Sequence, residues 1–415
     1  MSHSVRGRPW IARMGVEAAS VGLAVALVLA PSIAAAQSEQ APKFAVLYAF
    51  TGRADGATPY AGLVRDAAGN LYGTTFKGGA HGLGTVFKLD GLGKETVLHS
   101  FAGGKDGNGP AAGLIRDAEG TLYGVTVTRG TGRFGTVFKL NTSRKETILY
   151  NFTGGVDGAF PQGTLIRDSD GNLYGTTING GVGDYGTVFK VDTTGKEIVL
   201  HSFAGTTDGI DPYGGVIRDS AGNFYGTTFF GGAGKGCPDT CGTVFKVDHK
   251  GKETVLYSFT LGSDGTNPYD GVILDSTGNL YGTTQQGGDP NCNPPTGCGT
   301  VFRLNKNGTE KVLYSFTGGS DGAYPRAGVI RDATGNLYGA ATYGGDYNCD
   351  PIEGCGTVFK LNKNGELTVL HQFAGGKDGA YPYYGSLVID ASGNLYGTTF
   401  GGGASGYGVV FKLTP

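Results

Sequence analysis

The sequence predicts an all-β, seven-bladed β-propeller with four antiparallel strands per blade, and three observations carry that expectation. First, the stretch Gly69-Asn70-Leu71-Tyr72-Gly73-Thr74-Thr75 recurs with small changes, its tyrosine falling at Tyr72, Tyr123, Tyr174, Tyr225, Tyr281, Tyr338 and Tyr396. The spacings of 51, 51, 51, 56, 57 and 58 residues lie where internal repeats build propellers or solenoids. Second, each unit holds four short segments rich in β-branched and aromatic residues, and no helical periodicity follows residue 36. Third, the ends are complementary: Lys43–Phe50 (KFAVLYAF) reads as a fourth strand lacking its first three, and Gly408–Leu413 (GVVFKL) as a third strand lacking its fourth. Pairing them would complete the last blade, close the ring and leave no exposed sheet edge at the seam. An open solenoid would instead need polar caps on its terminal units.

The elements follow in chain order. Residues 1–36 read as an export signal, with Arg6, Arg8 and Arg13 ahead of the apolar run Val21–Ala30 and a small-residue cleavage site at Ala34-Ala35-Ala36. That run is shorter than the roughly 20 residues a membrane-spanning helix needs, so no membrane span is expected once the signal is removed. Residues 37–42 form a short linker and 43–415 the propeller. The signal carries three Arg and one Glu, so the net charge of −2 becomes −4 without it. A weakly acidic chain with no basic run excludes nucleic acid as a natural partner. The only Trp, Trp10, leaves with the signal, so an aromatic binding surface must be built from Tyr and Phe.

Within the first full unit the strands are expected at Gly62–Asp66, Asn70–Thr75, Gly84–Leu89 and Glu95–Phe101, each bounded by Gly, Asp or Asn turn residues. A residue present in all seven copies is assigned to packing or turn chemistry. Every unit is linked to the next by D-G-x-x-P, at Asp55, Asp106, Asp157, Asp208, Asp264, Asp321 and Asp378. A calcium loop needs several closely spaced oxygen donors; these loops offer one acid each, apart from Asp208 with Asp211, and are read as structural turns. Arg65, Arg116, Arg167, Arg218 and Arg331 share one inner-strand position that Leu274 and Ile389 fill elsewhere, which points to packing between blades. His99, His201 and His371 occupy the place of Tyr48, Tyr150, Tyr257 and Tyr314, so the position calls for a ring with a polar tip and not for a metal ligand.

The six cysteines fall into three tight pairs, Cys237–Cys241, Cys292–Cys298 and Cys349–Cys355, each within one enlarged loop between second and third strands. Export to an oxidising compartment favours local disulfides; zinc is the alternative, but no His accompanies the pairs. The three loops are expected to explain the longer periods and to share a face with the D-G-x-x-P links.

The combination RDAAGNLYGTT, GTVFKLD and KETVLHSF resembles the GloVer tandem repeats of exported choice-of-anchor bacterial proteins and, at greater distance, the NHL and gluconolactonase-like propellers. The resemblance runs from Lys43 to the C-terminus. It implies the propeller fold and no particular activity, because the family is named for its repeat and for varied surface anchors. The chain stops at Leu413-Thr414-Pro415 without a sorting tail, so a soluble, secreted or periplasmic form is expected.

The residue after each Pro varies: Tyr60, Ala111, Gln162, Tyr213, Tyr269, Arg326 and Tyr383. Variation at a fixed place in a uniform ring marks where a ligand is read, so Tyr60, Tyr213, Tyr269, Arg326 and Tyr383 are the candidate binding residues, with Tyr324, Tyr343, Tyr381, Tyr384, Gln285 and Gln286 nearby in the repeat. Tyr rings and amides suit a glycan or protein ligand. No catalytic motif and no cofactor motif is found, so no catalytic residue, metal ligand or cofactor is assigned. The expectation is a binding module; the competing expectations are a metal-dependent hydrolase or lyase at the channel mouth and a purely structural surface protein.

Overall fold

The computed structural model describes residues 41–205, 207–234 and 241–415; the segment 1–36 read above as an export signal, and Cys237, lie outside them. Seven antiparallel sheets follow one another, and among the described residues no helix occurs. In the first complete blade the strands are Val64–Arg65, Leu71–Thr75, Thr85–Leu89 and Glu95–Ser100, hydrogen-bonded in that order from the axis outward. The inner strand is thus shorter than the sequence suggests.

The two chain ends meet in the seventh sheet. Lys43–Ala49 pairs antiparallel with Val409–Thr414, in a register running from Lys43 opposite Thr414 to Ala49 opposite Val409. The seam repeats contacts found between other neighbouring blades. Phe50, after the N-terminal strand, packs edge-to-face on Phe87 at 5.2 Å, as Phe101 does on Phe138 and Phe152 on Phe189. These phenylalanines are fully buried, and such edge-on pairs add about 0.5–1.5 kcal/mol to the burial itself. Thr398 of the last blade donates to the Ala61 carbonyl of the first, as Thr74 donates to Ala112. Arg65 lies over the Tyr396 ring at 5.5 Å, matching Arg116 over Tyr72 and Arg331 over Tyr281. The inner-strand arginines therefore join blades, by cation–π contact.

The repeated heptad owes its letters to three contacts. Asp66 accepts hydrogen bonds from the Asn70 backbone N–H, the Asn70 amide and the Tyr72 hydroxyl, so Asp, Asn and Tyr close one turn. Gly73 sits in mid-strand because a Cβ there would come within 2.7 Å of the Phe87 ring and 2.8 Å of Leu63. Thr75 shares a hydrogen bond with Thr85 across the buried strand pair.

The D-G-x-x-P links are structural, as expected. Asp55 accepts from the Thr51 backbone N–H and hydroxyl and from the Tyr48 hydroxyl, and the same pattern recurs at Asp157 and Asp321. The glycine after the Asp has positive φ, and a Cβ on Gly56 would strike the Thr75 side chain. Less expected is the residue before the Pro. Thr58, Gly109, Phe160, Asp211, Asn267, Tyr324 and Tyr381 all lie in the left-handed region, a costly conformation for a non-glycine residue. All seven links share it, so it belongs to the repeat: it bends the chain and sends the residue after Pro toward the axis.

Candidate functional site

The links place the residues after Pro at one mouth of the axial channel. A cavity of about 280 Å³ on the axis is lined by inner-strand residues of the blades and, among others, by Ala111, Gln162, Tyr213, Tyr269, Arg326 and Tyr384. Above it the tyrosines contact one another. Tyr213 stacks on Tyr269 at 4.6 Å and Tyr269 on Tyr384 at 4.3 Å; Tyr60 lies 4.4 Å and Tyr383 4.0 Å from Tyr384. The Arg326 guanidinium covers Tyr383 at 4.5 Å and Tyr343 at 5.4 Å.

Tyr343 in turn contacts Tyr324 and Tyr381. A continuous aromatic track thus leads from the axis to a second cavity of about 450 Å³, lined by Asn291, Asn293, Tyr324, Tyr343, Tyr347 and Glu353 among others. Disulfide loops border this cleft. Cys292–Cys298 and Cys349–Cys355 are bonded, with Cα separations of 5.6 and 6.1 Å; the first lines the cleft itself, and Gly318 lies so close to Cys292 that a Cβ would strike the sulfur. Of the third pair, Cys237 lies outside the described residues. Gln285 and Gln286 pair through their backbones with Asn267 and Thr266.

All five candidate residues therefore stand in one cluster, and its hub is Tyr384, which the sequence placed only as a neighbour. Asp270 was missed. It lines the axial cavity and accepts hydrogen bonds from the Gly271 and Gly328 backbone N–H groups and from the Ser386 hydroxyl, tying blades five, six and seven together. One signal points to both residues and a second to Tyr384 alone. The second position after Pro is small in Ala61, Ala112, Gly163, Gly214 and Ala327 but not in Asp270 or Tyr384. The last spacing of 58 exceeds its predecessor because Pro382–Leu387 holds one residue more than Pro59–Leu63; the enlarged loops alone do not explain the longer periods.

Burial sets the electrostatics. Desolvation pushes the Tyr60 phenol up to about 12 and raises those of Tyr269 and Tyr384 further, so all three are neutral donors at any physiological pH. The same cause raises the Asp270 carboxyl, opposed by its three hydrogen bonds. The mouth thus offers uncharged rings and hydroxyls, one guanidinium at the rim and one carboxyl on the axis.

The Gloeobacter/Verrucomicrobia repeat model matches residues 36–237, 179–349 and 229–415. No curated protein matches the chain. Among solved structures, two of the extracellular domain of a protein from B. thetaiotaomicron, described as a one-component and as a hybrid two-component system, are similar at TM-scores of 0.52 and 0.56 with 11% and 12% identity. They cover 89% of this chain, which spans 39% of theirs; at that identity the likeness concerns the fold. A gluconolactonase from Xanthomonas campestris is similar at a TM-score of 0.42 and 15% identity, over 90% of this chain and 89% of its own. The chain belongs to the Gloeobacter/Verrucomicrobia repeat family.

Proposed function

We propose that the protein is an exported binding module that holds a carbohydrate along the tyrosine track between the axial mouth and the disulfide-bordered cleft. One observation carries this reading: the residues that vary from blade to blade converge into a single continuous surface of Tyr rings, with Arg326 in its middle and amides and Glu353 at its end. Ring faces pack against the apolar faces of sugars while neutral hydroxyls, amides and a carboxylate satisfy sugar hydroxyls. Loops carried on a rigid scaffold are the usual seat of such recognition. The extracellular domains with the same fold are compatible with export and do not carry the reading. A metal-dependent hydrolase at the mouth is less supported, because Asp270 is the only acid among the residues lining the axial cavity.

A glycan array probed with the purified protein tests the proposal. The variants Tyr383→Ala and Arg326→Ala, checked for unchanged melting, are expected to lower the affinity for the best glycan by about 10-fold or more, in line with loss of one central aromatic or Arg contact. Absence of glycan binding, or binding indifferent to both variants, would reject it.

A further inference from the structure

Away from the mouth, the outer strands meet in a repeated three-residue cluster: a ring from one blade, the Asp of the following link, and the first residue of the next blade's outer strand. At most interfaces the ring and the Asp are bonded to each other, while the Glu oxygen beside them, as in Glu95, Glu197, Glu253 and Glu310, has no partner. The hydroxyls of Tyr48, Tyr150, Tyr257 and Tyr314 donate to Asp55, Asp157, Asp264 and Asp321 at 2.9–3.0 Å. His201 and His371 reach Asp208 and Asp378 at 3.3 and 3.1 Å, and beside His371 the third member is Phe44, stacked on the imidazole at 3.7 Å.

Between the first and second blades the arrangement is different. His99 Nε2 stands 3.6 Å from Asp106 Oδ2 and 3.6 Å from Glu146 Oε1, too far from either for a hydrogen bond. His99 Nε2 is buried without a hydrogen-bond partner, and so is Glu146 Oε1; the Glu oxygen shares that state with its counterparts in the repeat, but the unpartnered imidazole is particular to this interface among the described residues. The backbone N–H groups of Ala102 and Gly104 hold the Asp106 carboxylate in place. One imidazole and two carboxylates, their ligand atoms all within 4.8 Å, enclose a common point.

We propose that His99, Asp106 and Glu146 form a site for a first-row divalent cation, zinc above all, that clamps the first blade to the second. Metal–ligand bonds of about 2.0–2.2 Å around a tetrahedral zinc put neighbouring donors roughly 3.3–3.6 Å apart, and His99 Nε2 stands 3.6 Å from each of the two carboxylates. The imidazole selects against calcium and magnesium, which take oxygen donors. Three protein ligands leave a fourth position for water, and side chains 15–20% exposed leave a path for the ion. Bound metal would supply the partners that His99 Nε2 and Glu146 Oε1 lack. The proposal departs at His99 from the sequence reading of that position as a ring with a polar tip, which the Tyr–Asp and His–Asp contacts of the other interfaces support.

The test uses the purified protein, stripped with a chelator and titrated with zinc chloride by calorimetry, with cobalt absorption as a spectroscopic check of tetrahedral coordination. His99→Tyr is the decisive variant, because Tyr already stands at that place in four outer strands and the fold accommodates it. The unmodified protein should bind one equivalent of zinc more than His99→Tyr, gain a few degrees in Tm with zinc, and show intense cobalt bands that the variant lacks. His201→Tyr should behave as the unmodified protein does. Equal zinc stoichiometry with and without His99, or loss of the equivalent in His201→Tyr instead, would overturn the site.

Discussion

Glu95, Glu197 and Glu310 each open an outer strand beside the Asp of the preceding link, and burial first, then the charge of that Asp, raises each carboxyl to about 7. A carboxyl raised above its unfolded value favours the native state while protonated. Its contribution is full below about pH 4.5 and is lost as the pH rises through 7. Burial lowers His99 and His371, which act in the opposite sense, so a triple variant isolates the glutamates. Replacing all three with Gln should leave Tm near that of the unmodified protein at pH 5 and raise it above at pH 8. A difference in Tm that does not change with pH would show that these carboxyls titrate normally. Some single-residue roles were open to sequence reading: the alternation of His with Tyr at one position pointed to a shared polar tip, and the Asp hydrogen bonds supply it. The Asp270 bonds were not, because they join residues 58 and 116 positions apart through a geometry that only the closed ring creates.

At the scale of elements, the strands were legible because each unit alternates apolar runs with Gly, Asp and Asn turns, and seven copies average away local ambiguity. Two features escaped. The inner strand shortens to Val64–Arg65 because residues nearer the axis bend into the channel wall, and the left-handed residue before each Pro has no common side chain, running from Thr58 to Tyr381. The cysteine loops illustrate how local spacing can outrun fold prediction: both fully described pairs are bonded as their separation suggested. Each closes a loop of few residues, so on the chain-entropy view it stabilises by only about 2 kcal/mol. The Cys292–Cys298 loop also carries Asn293, which donates to the Tyr324 hydroxyl along the cleft. Mild reduction, or Cys292→Ser with Cys298→Ser, should therefore lower Tm by only a few degrees while weakening glycan binding severalfold. Equal binding by the reduced and oxidised protein would remove the loops from the recognition surface.

The whole molecule depends on its seam. Tyr60 belongs to the first blade and Tyr383 and Tyr384 to the last, so Tyr60 joins the tyrosine cluster across the seam that the N-terminal strand closes. The repeat period revealed the ring, whereas the sequence signals at Tyr384, a large residue at a small position and one extra residue in the final link, acquire their meaning as a hub only in the closed ring. Ala45 and Lys412 face each other across the seam, at the separation of directly opposed antiparallel residues, which a disulfide can bridge. The most direct measurement is peptide mass spectrometry of the oxidised Ala45→Cys, Lys412→Cys protein. A closed propeller yields one intramolecular 45–412 disulfide in a monomer; free thiols at both positions, or a bond formed only between two chains, would mean that the ends do not meet.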